Sequence, residues 1–226
     1  MRRVCVPLVV VLATLAGAAC QAPPVRTSNY RRVLIIGDSL FHGSAWLEGN
    51  PKLMDPLQPL LAQRGVEVRL IGRSAALPVE NGWARQVKDQ VATWDPDLVV
   101  AESVIADDLD GVALQRLLLE WSAISHLATA KGAEFWRVEP VAPIPGSYYD
   151  GLYGPRLPGL RFAQSTGVRT ATPNRPTVID LETAIRTCEN GSAADGLHLT
   201  AAGQICVSNQ LYRLIVREEP PGTPTS

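Results

Sequence analysis

The chain has 226 residues, of which 46% are hydrophobic and 19% charged, with a formal net charge of −1. Length and apolar content fit one globular domain with a core of ordinary size and exclude an intrinsically disordered chain. Taking Arg2 and Arg3 from the 21 basic residues leaves 19 against 22 acidic ones, a balance of −3, so no electrostatic footprint for nucleic acid is present.

Residues 1–19 stand apart from any fold. Arg2-Arg3 and the apolar run from Val4 to Ala19 have the charged head, short greasy centre and small-residue exit of an export signal, and the run is too short for a membrane span. Its exit, Leu15-Ala16-Gly17-Ala18-Ala19-Cys20, resembles a bacterial lipobox, with Gly17 where leucine is usual. Cysteine parity bears on the outcome. Cys5 leaves with the signal, and Cys20, Cys188 and Cys206 remain, so one thiol of three is odd. If Cys188 pairs with Cys206 in an oxidising exterior, Cys20 is left for lipid and anchors the chain to the outer face of a membrane; plain secretion is the alternative.

Residues 20–32, with Pro23, Pro24, Thr27, Ser28 and Asn29, read as a tether, and 218–226, with three prolines, as a disordered tail. Between them, residues 33–217 form the expected domain. Five short apolar or β-branched runs alternate with helical patterns: Val33–Ile36, Val66–Ile71, Leu98–Ala101, Glu134–Val138 and Thr177–Leu181. This alternation predicts an α/β fold, a three-layer α/β/α sandwich around a five-stranded parallel sheet, with any site at the carboxyl ends of the strands.

Helices are predicted where apolar residues recur every three or four positions. Leu53, Leu57, Leu60 and Leu61 precede the stop at Gly65, and Leu114, Leu117, Leu118, Trp121, Ile124 and Ala128 precede Gly132. The closing helix takes Thr200 as its N-cap and Ile205, Leu211, Leu214 and Ile215 as its buried side.

The chemistry concentrates at the two ends of this domain. Gly37-Asp38-Ser39-Leu40 follows the first strand directly, which puts the Ser39 hydroxyl beside a helix N-terminus, where backbone N–H groups can face an oxyanion. Asp195-Gly196-Leu197-His198 lies just before the last helix, and an aspartate and a histidine three apart can share one turn. The imidazole then takes the serine proton through one nitrogen while the carboxylate fixes the other.

These two motifs resemble those of the SGNH (GDSL-type) hydrolase family in kind, order and chain position. The resemblance covers Val33 to Arg217 and implies a flavodoxin-like SGNH fold with Ser39, Asp195 and His198 as catalytic triad. It also implies an oxyanion hole from the Ser39 and Gly72 backbone, and no cofactor or metal. The family's asparagine after the third strand, in Gly-x-Asn-Asp, is replaced by Ala106, and Asn81 is a candidate substitute donor. The implied activity is a serine hydrolase, an extracytoplasmic esterase that removes or transfers small acyl groups, acetyl on envelope glycans among them. A catalytically weak or inactive envelope protein that binds glycan or a protein partner is the alternative.

Trp46 and Trp83 follow the Ser39 and Gly72 blocks and are candidate substrate contacts, and Tyr148, Tyr149 and Tyr153 are a candidate mobile cover over the pocket. A Cys188–Cys206 disulfide would brace the catalytic turn. His42 and His126 have no catalytic assignment, no metal-ligand cluster is spaced along the chain, and a monomer is expected.

Overall fold

A computed structural model describes residues 30–43, 52–73, 78–102, 113–171, 177–192 and 195–216. The expected export signal, the lipobox-like stretch with Cys20, Trp46, Ala106 and the expected tail lie outside them. Five strands form one sheet: β1 (Arg32–Gly37), β2 (Glu67–Gly72), β3 (Leu98–Glu102), β4 (Glu134–Val138) and β5 (Thr177–Ile179). All neighbours are parallel, in the order β2-β1-β3-β4-β5.

The helices of the described residues are α1 (Ser39–His42), α2 (Met54–Ala62), α3 (Trp83–Trp94), α4 (Leu114–Thr129), α5 (Tyr148–Tyr153), α6 (Leu157–Ala171), α7 (Leu181–Arg186) and α8 (Ala201–Val216). None of them is long and apolar enough to cross a membrane.

Because a strand sends alternate side chains to opposite faces, the apolar run Val33–Ile36 of β1 feeds two cores. Val33 and Ile35, with Leu98, Val100 and Val138, pack against Leu57 and Leu61 of α2 and Val207, Leu211 and Ile215 of α8. Leu34 and Ile36, with Val99, Ala101 and Phe135, pack against α3, α4 and α6 through Val87, Trp121, Ile124, Leu160 and Val168. These are the two helical layers the alternation predicts.

Four local readings need correction. Tyr30, inside the expected tether, already packs in the folded body. That ring is 5% exposed, meets Trp136 edge-on at 5.7 Å, and its hydroxyl donates to Glu134. The next two backbone N–H groups, of Arg31 and Arg32, donate to Asp97 at 2.7 and 2.9 Å. Secondly, the fifth strand stops at Ile179, because the Asp180 carboxylate accepts from Thr183 N–H (2.9 Å) and caps α7, so Leu181 is helical. Thirdly, α8 does begin after Thr200, whose Oγ1 accepts from Gly203 N–H at 3.0 Å. Yet of its four expected core residues only Leu211 and Ile215 are buried, while Ile205 and Leu214 face outward. Finally, Leu114 at the head of α4 is likewise exposed.

The order of strands fixes where a site can form. From β1 the chain crosses to β2 on one side and β3 on the other, so the carboxyl end of β1 opens at the switch point of the sheet. Ser39 follows that end by two residues.

Candidate active site

β1 ends at Gly37, and Asp38 leads into the single turn of α1, closed by His42 N–H donating to the Asp38 carbonyl (2.7 Å). Ser39 opens this turn and is 8% exposed. Across the ladder Gly37 pairs with Gly72, the last residue of β2. Gly72 has φ +101, and a Cβ there would overlap the Gly37 carbonyl, so only glycine serves at that position.

The second half of the site is the turn ahead of α8. Asp195 Oδ1 accepts from the N–H groups of Leu197 and His198, both at 3.0 Å. Asp195 Oδ2 meets His198 Nδ1 at 2.6 Å. His198 Nε2 lies 2.9 Å from Ser39 Oγ. The neutral imidazole that satisfies both contacts donates from Nδ1 to the carboxylate and accepts the serine hydroxyl at Nε2. Burial pushes the Asp195 carboxyl upward, but the two N–H donors and the imidazole outweigh it and hold the group below its ordinary value. Asp195 therefore stays ionised and keeps the histidine oriented.

Several bonds hold the turn in place. Thr200 N–H donates to the Gly191 carbonyl (3.0 Å), Ser192 and Leu199 form an isolated antiparallel bridge, and Cys188 is disulfide-bonded to Cys206 of α8. From the other side, Ile144 N–H donates to the Gly196 carbonyl at 2.8 Å, which joins the proline-rich exit of β4 to the turn. Gly196 has φ +80, and a side chain there would run into Ser147.

The remaining candidates fall out as follows. Trp83 is not a substrate contact: it is wholly buried at the start of α3, part of the core under that face. Asn81 sits in the turn ahead of α3, where its carbonyl accepts from Gln86 Nε2 at 3.0 Å.

The three tyrosines lie on α5. Tyr149 stands edge-on to the His198 ring at 5.9 Å and stacks on Tyr153 at 5.6 Å. Tyr148 is 73% exposed. Burial, then the Asp195 charge, pushes the Tyr149 phenol up.

His42 meets the Ile71 carbonyl through Nε2 at 3.3 Å, joining α1 to β2. Its pKa is lowered, chiefly by burial. His126 is exposed. A cavity of about 320 Å³ lies beside the Asp195–His198 turn, lined by Val141, Ile144, Ile185, Gly196 and Leu197 among others and by none of Ser39, Asp195 and His198. Sequence reasoning missed Glu102, a buried carboxyl beside the Ser39 turn; its signal was an acidic residue ending an otherwise apolar strand.

No protein-family model and no curated protein sequence matches the chain. Solved structures do resemble it. A lipase/acylhydrolase from Enterococcus faecalis superposes with a TM-score of 0.63 at 21% identity, covering 85% of this chain and 99% of its own. The psychrotrophic esterase EstA of Pseudoalteromonas sp. gives 0.62 at 18% identity, over 83% and 97%. An acetyl xylan esterase from Geobacillus stearothermophilus gives 0.60 at 19%, over 88% and 100%. A putative SGNH hydrolase from Slackia heliotrinireducens also superposes, with a TM-score of 0.59 at 21% identity. With a five-stranded parallel sheet between two helical layers and these neighbours along nearly their full lengths, the chain has the SGNH (GDSL-type) hydrolase fold.

Proposed function

We propose that the protein is an extracytoplasmic serine esterase that removes or transfers small acyl groups, with acetyl on envelope glycans as the favoured substrate class. The observation that carries this reading is the continuous relay from Ser39 Oγ to His198 Nε2 and from His198 Nδ1 to Asp195. A hydroxyl is a weak nucleophile, and a relay of this geometry is what activates one.

In the reaction, the Ser39 proton passes to His198 Nε2 as Oγ attacks the ester carbonyl carbon. The backbone N–H groups of Ser39 and Gly72 hold the resulting oxyanion, and Asp195 stabilises the imidazolium. Collapse expels the alcohol, which leaves with the proton from His198. Water then attacks the acyl-serine in hydrolysis, or a second alcohol does so in transfer, each activated by the same histidine. The acetyl xylan esterase among the structural neighbours supports the acetyl-glycan choice. The export signal and Cys20 support a lipid-anchored extracytoplasmic address.

Ala106 motivates a second reading, a protein that keeps the fold and pocket but binds glycan or a partner without turnover. Losing one oxyanion donor costs serine hydrolases about 2.7–4 kcal/mol of barrier. Incubating wild type and Ser39→Ala with p-nitrophenyl acetate and a fluorophosphonate probe separates the two. The esterase labels on Ser39 and loses turnover in the variant; equal turnover with no labelling selects the binding protein.

A further inference from the structure

The proposed chemistry gives no role to the carboxyl that ends β3. Glu102 is 3% exposed. β3 runs beside β1 with Ala101 opposite Ile36, so Glu102 stands next to the turn that carries the nucleophile. Its Oε2 accepts the Asp38 N–H at 2.7 Å. A Cβ on Gly37 would come within 2.6 Å of the same oxygen, so the glycine is what lets the carboxyl in.

Asp38, itself 8% exposed, competes for the nucleophile. Its Oδ1 lies 3.3 Å from Ser39 Oγ, on the hydroxyl that also meets His198 at 2.9 Å. A serine has one proton to give, and donation to Asp38 leaves nothing for the histidine to abstract.

We propose that Glu102 is a positioning residue for the nucleophile: its carboxyl clamps Asp38 by peptide N–H and side chain together, and so directs the Ser39 hydroxyl to His198. Burial first, the Asp38 charge second and side-chain hydrogen bonding to Asp38 third push the Glu102 carboxyl well above its ordinary value. In the acid form its O–H occupies Asp38, and its carbonyl oxygen takes the Asp38 N–H. Leu40 N–H from α1 is a further donor, and Val138 of β4 is its register neighbour. Asp38 is the one charged group acting on Glu102 among the described residues, and it acts in turn on His42 of α1.

This inference rests on Ser39 being the nucleophile, and its test separates the two. Glu102→Gln keeps both hydrogen bonds, since the amide oxygen accepts and the amide N–H donates, but cannot ionise. Glu102→Leu fills similar space and makes neither bond. On the full chain with p-nitrophenyl acetate, we expect Glu102→Leu to lower kcat about 100-fold at unchanged KM, and to slow fluorophosphonate labelling in proportion. Glu102→Gln is expected to stay within about 3-fold of wild type and to lack whatever loss of kcat/KM ionisation of Glu102 causes in wild type at alkaline pH.

A second readout needs no activity. The folded protein keeps a proton on Glu102 that the unfolded chain releases near its ordinary 4.5, so wild-type stability falls as pH rises above that value. The Tm of Glu102→Gln is expected to lack that component of the slope. Glu102→Leu retaining wild-type kcat, Glu102→Gln as slow as Glu102→Leu, or identical Tm slopes would each overturn the proposal. A wild type that never labels removes the esterase reading instead, and the comparison of Tm slopes then decides the clamp alone.

Discussion

The Ser39 hydroxyl and the His198 Nε2 lie 2.9 Å apart although 159 positions separate them in the chain. Their meeting depends on β1 ending at the switch point and on the turn before α8 closing over it. In the proposed chemistry the two groups act on one proton, so their removals should not add. Ser39→Ala and His198→Ala should each lower kcat by several powers of ten, and the double variant should be no slower than the worse single one. Additive losses in p-nitrophenyl acetate turnover would mean that the two side chains act in separate steps.

Asp195→Asn tests orientation without changing size. The asparagine oxygen can still accept from Leu197 and His198 N–H, but its NH2 then faces His198 Nδ1 and favours the tautomer with its proton on Nε2, the wrong one for a base. We expect kcat to fall about 10³- to 10⁴-fold with KM nearly unchanged. The acid side of the stability curve gives an independent check. The folded Asp195 carboxyl lies below its ordinary 3.8, so its contribution is present above that value and is lost as pH falls through the depressed one. Asp195→Asn should flatten that acid loss in a Tm series.

The sheet was legible because a parallel sheet covered on both faces leaves uninterrupted runs such as Val33-Leu34-Ile35-Ile36, and these appear in the expected order. The two motifs were legible because a nucleophile turn and a histidine turn need particular residues close together in sequence. What failed were readings in which one side chain has two plausible surroundings. Trp83 follows Gly72 in the chain, yet the first turn of α3 rotates it inward. Ile205 and Leu214 fit a helical stripe, yet α8 meets its neighbours over a narrower arc. Tyr30 looked like part of a polar tether because its partners, Trp136 and Glu134, lie more than a hundred residues away. Glu102 was passed over for a related reason: nothing local in the sequence shows that the Asp38 N–H points at it.

Cys188 and Cys206 bracket the Asp195–His198 turn, since both of those residues lie inside the loop their disulfide closes. Gln210 Nε2 of α8 also contacts both sulfurs, at 3.4 and 3.6 Å. Replacing both cysteines by serine should lower stability by about 3 kcal/mol in the chain-entropy description, read from urea unfolding with and without reductant. Because the loop carries two of the three reactive groups, kcat should fall more steeply with temperature in the variant than in the oxidised wild type. A wild type indifferent to reductant in both measurements would show that the hydrogen bonds donated by Ile144 and Thr200 N–H and those accepted by the Asp195 carboxylate hold the turn without it.

Tyr149 packs against His198, its ring edge-on to the imidazole at 5.9 Å and backed by Tyr153. An aromatic pair of this kind is worth about 0.5–1.5 kcal/mol beyond its buried area. If that contact holds the imidazole toward Ser39, Tyr149→Phe keeps the ring and should keep kcat, while Tyr149→Ala should lose about 2- to 12-fold, the same free energy expressed as a rate. The phenol adds a second distinction. Burial first, then the Asp195 charge, disfavour the ionised phenol of Tyr149 and push its pKa up, so the pH profile of Tyr149→Phe should overlay that of wild type. A shifted profile in Tyr149→Phe would assign the hydroxyl, and not the ring, to the chemistry, and would place the phenol in contact with the reacting ester.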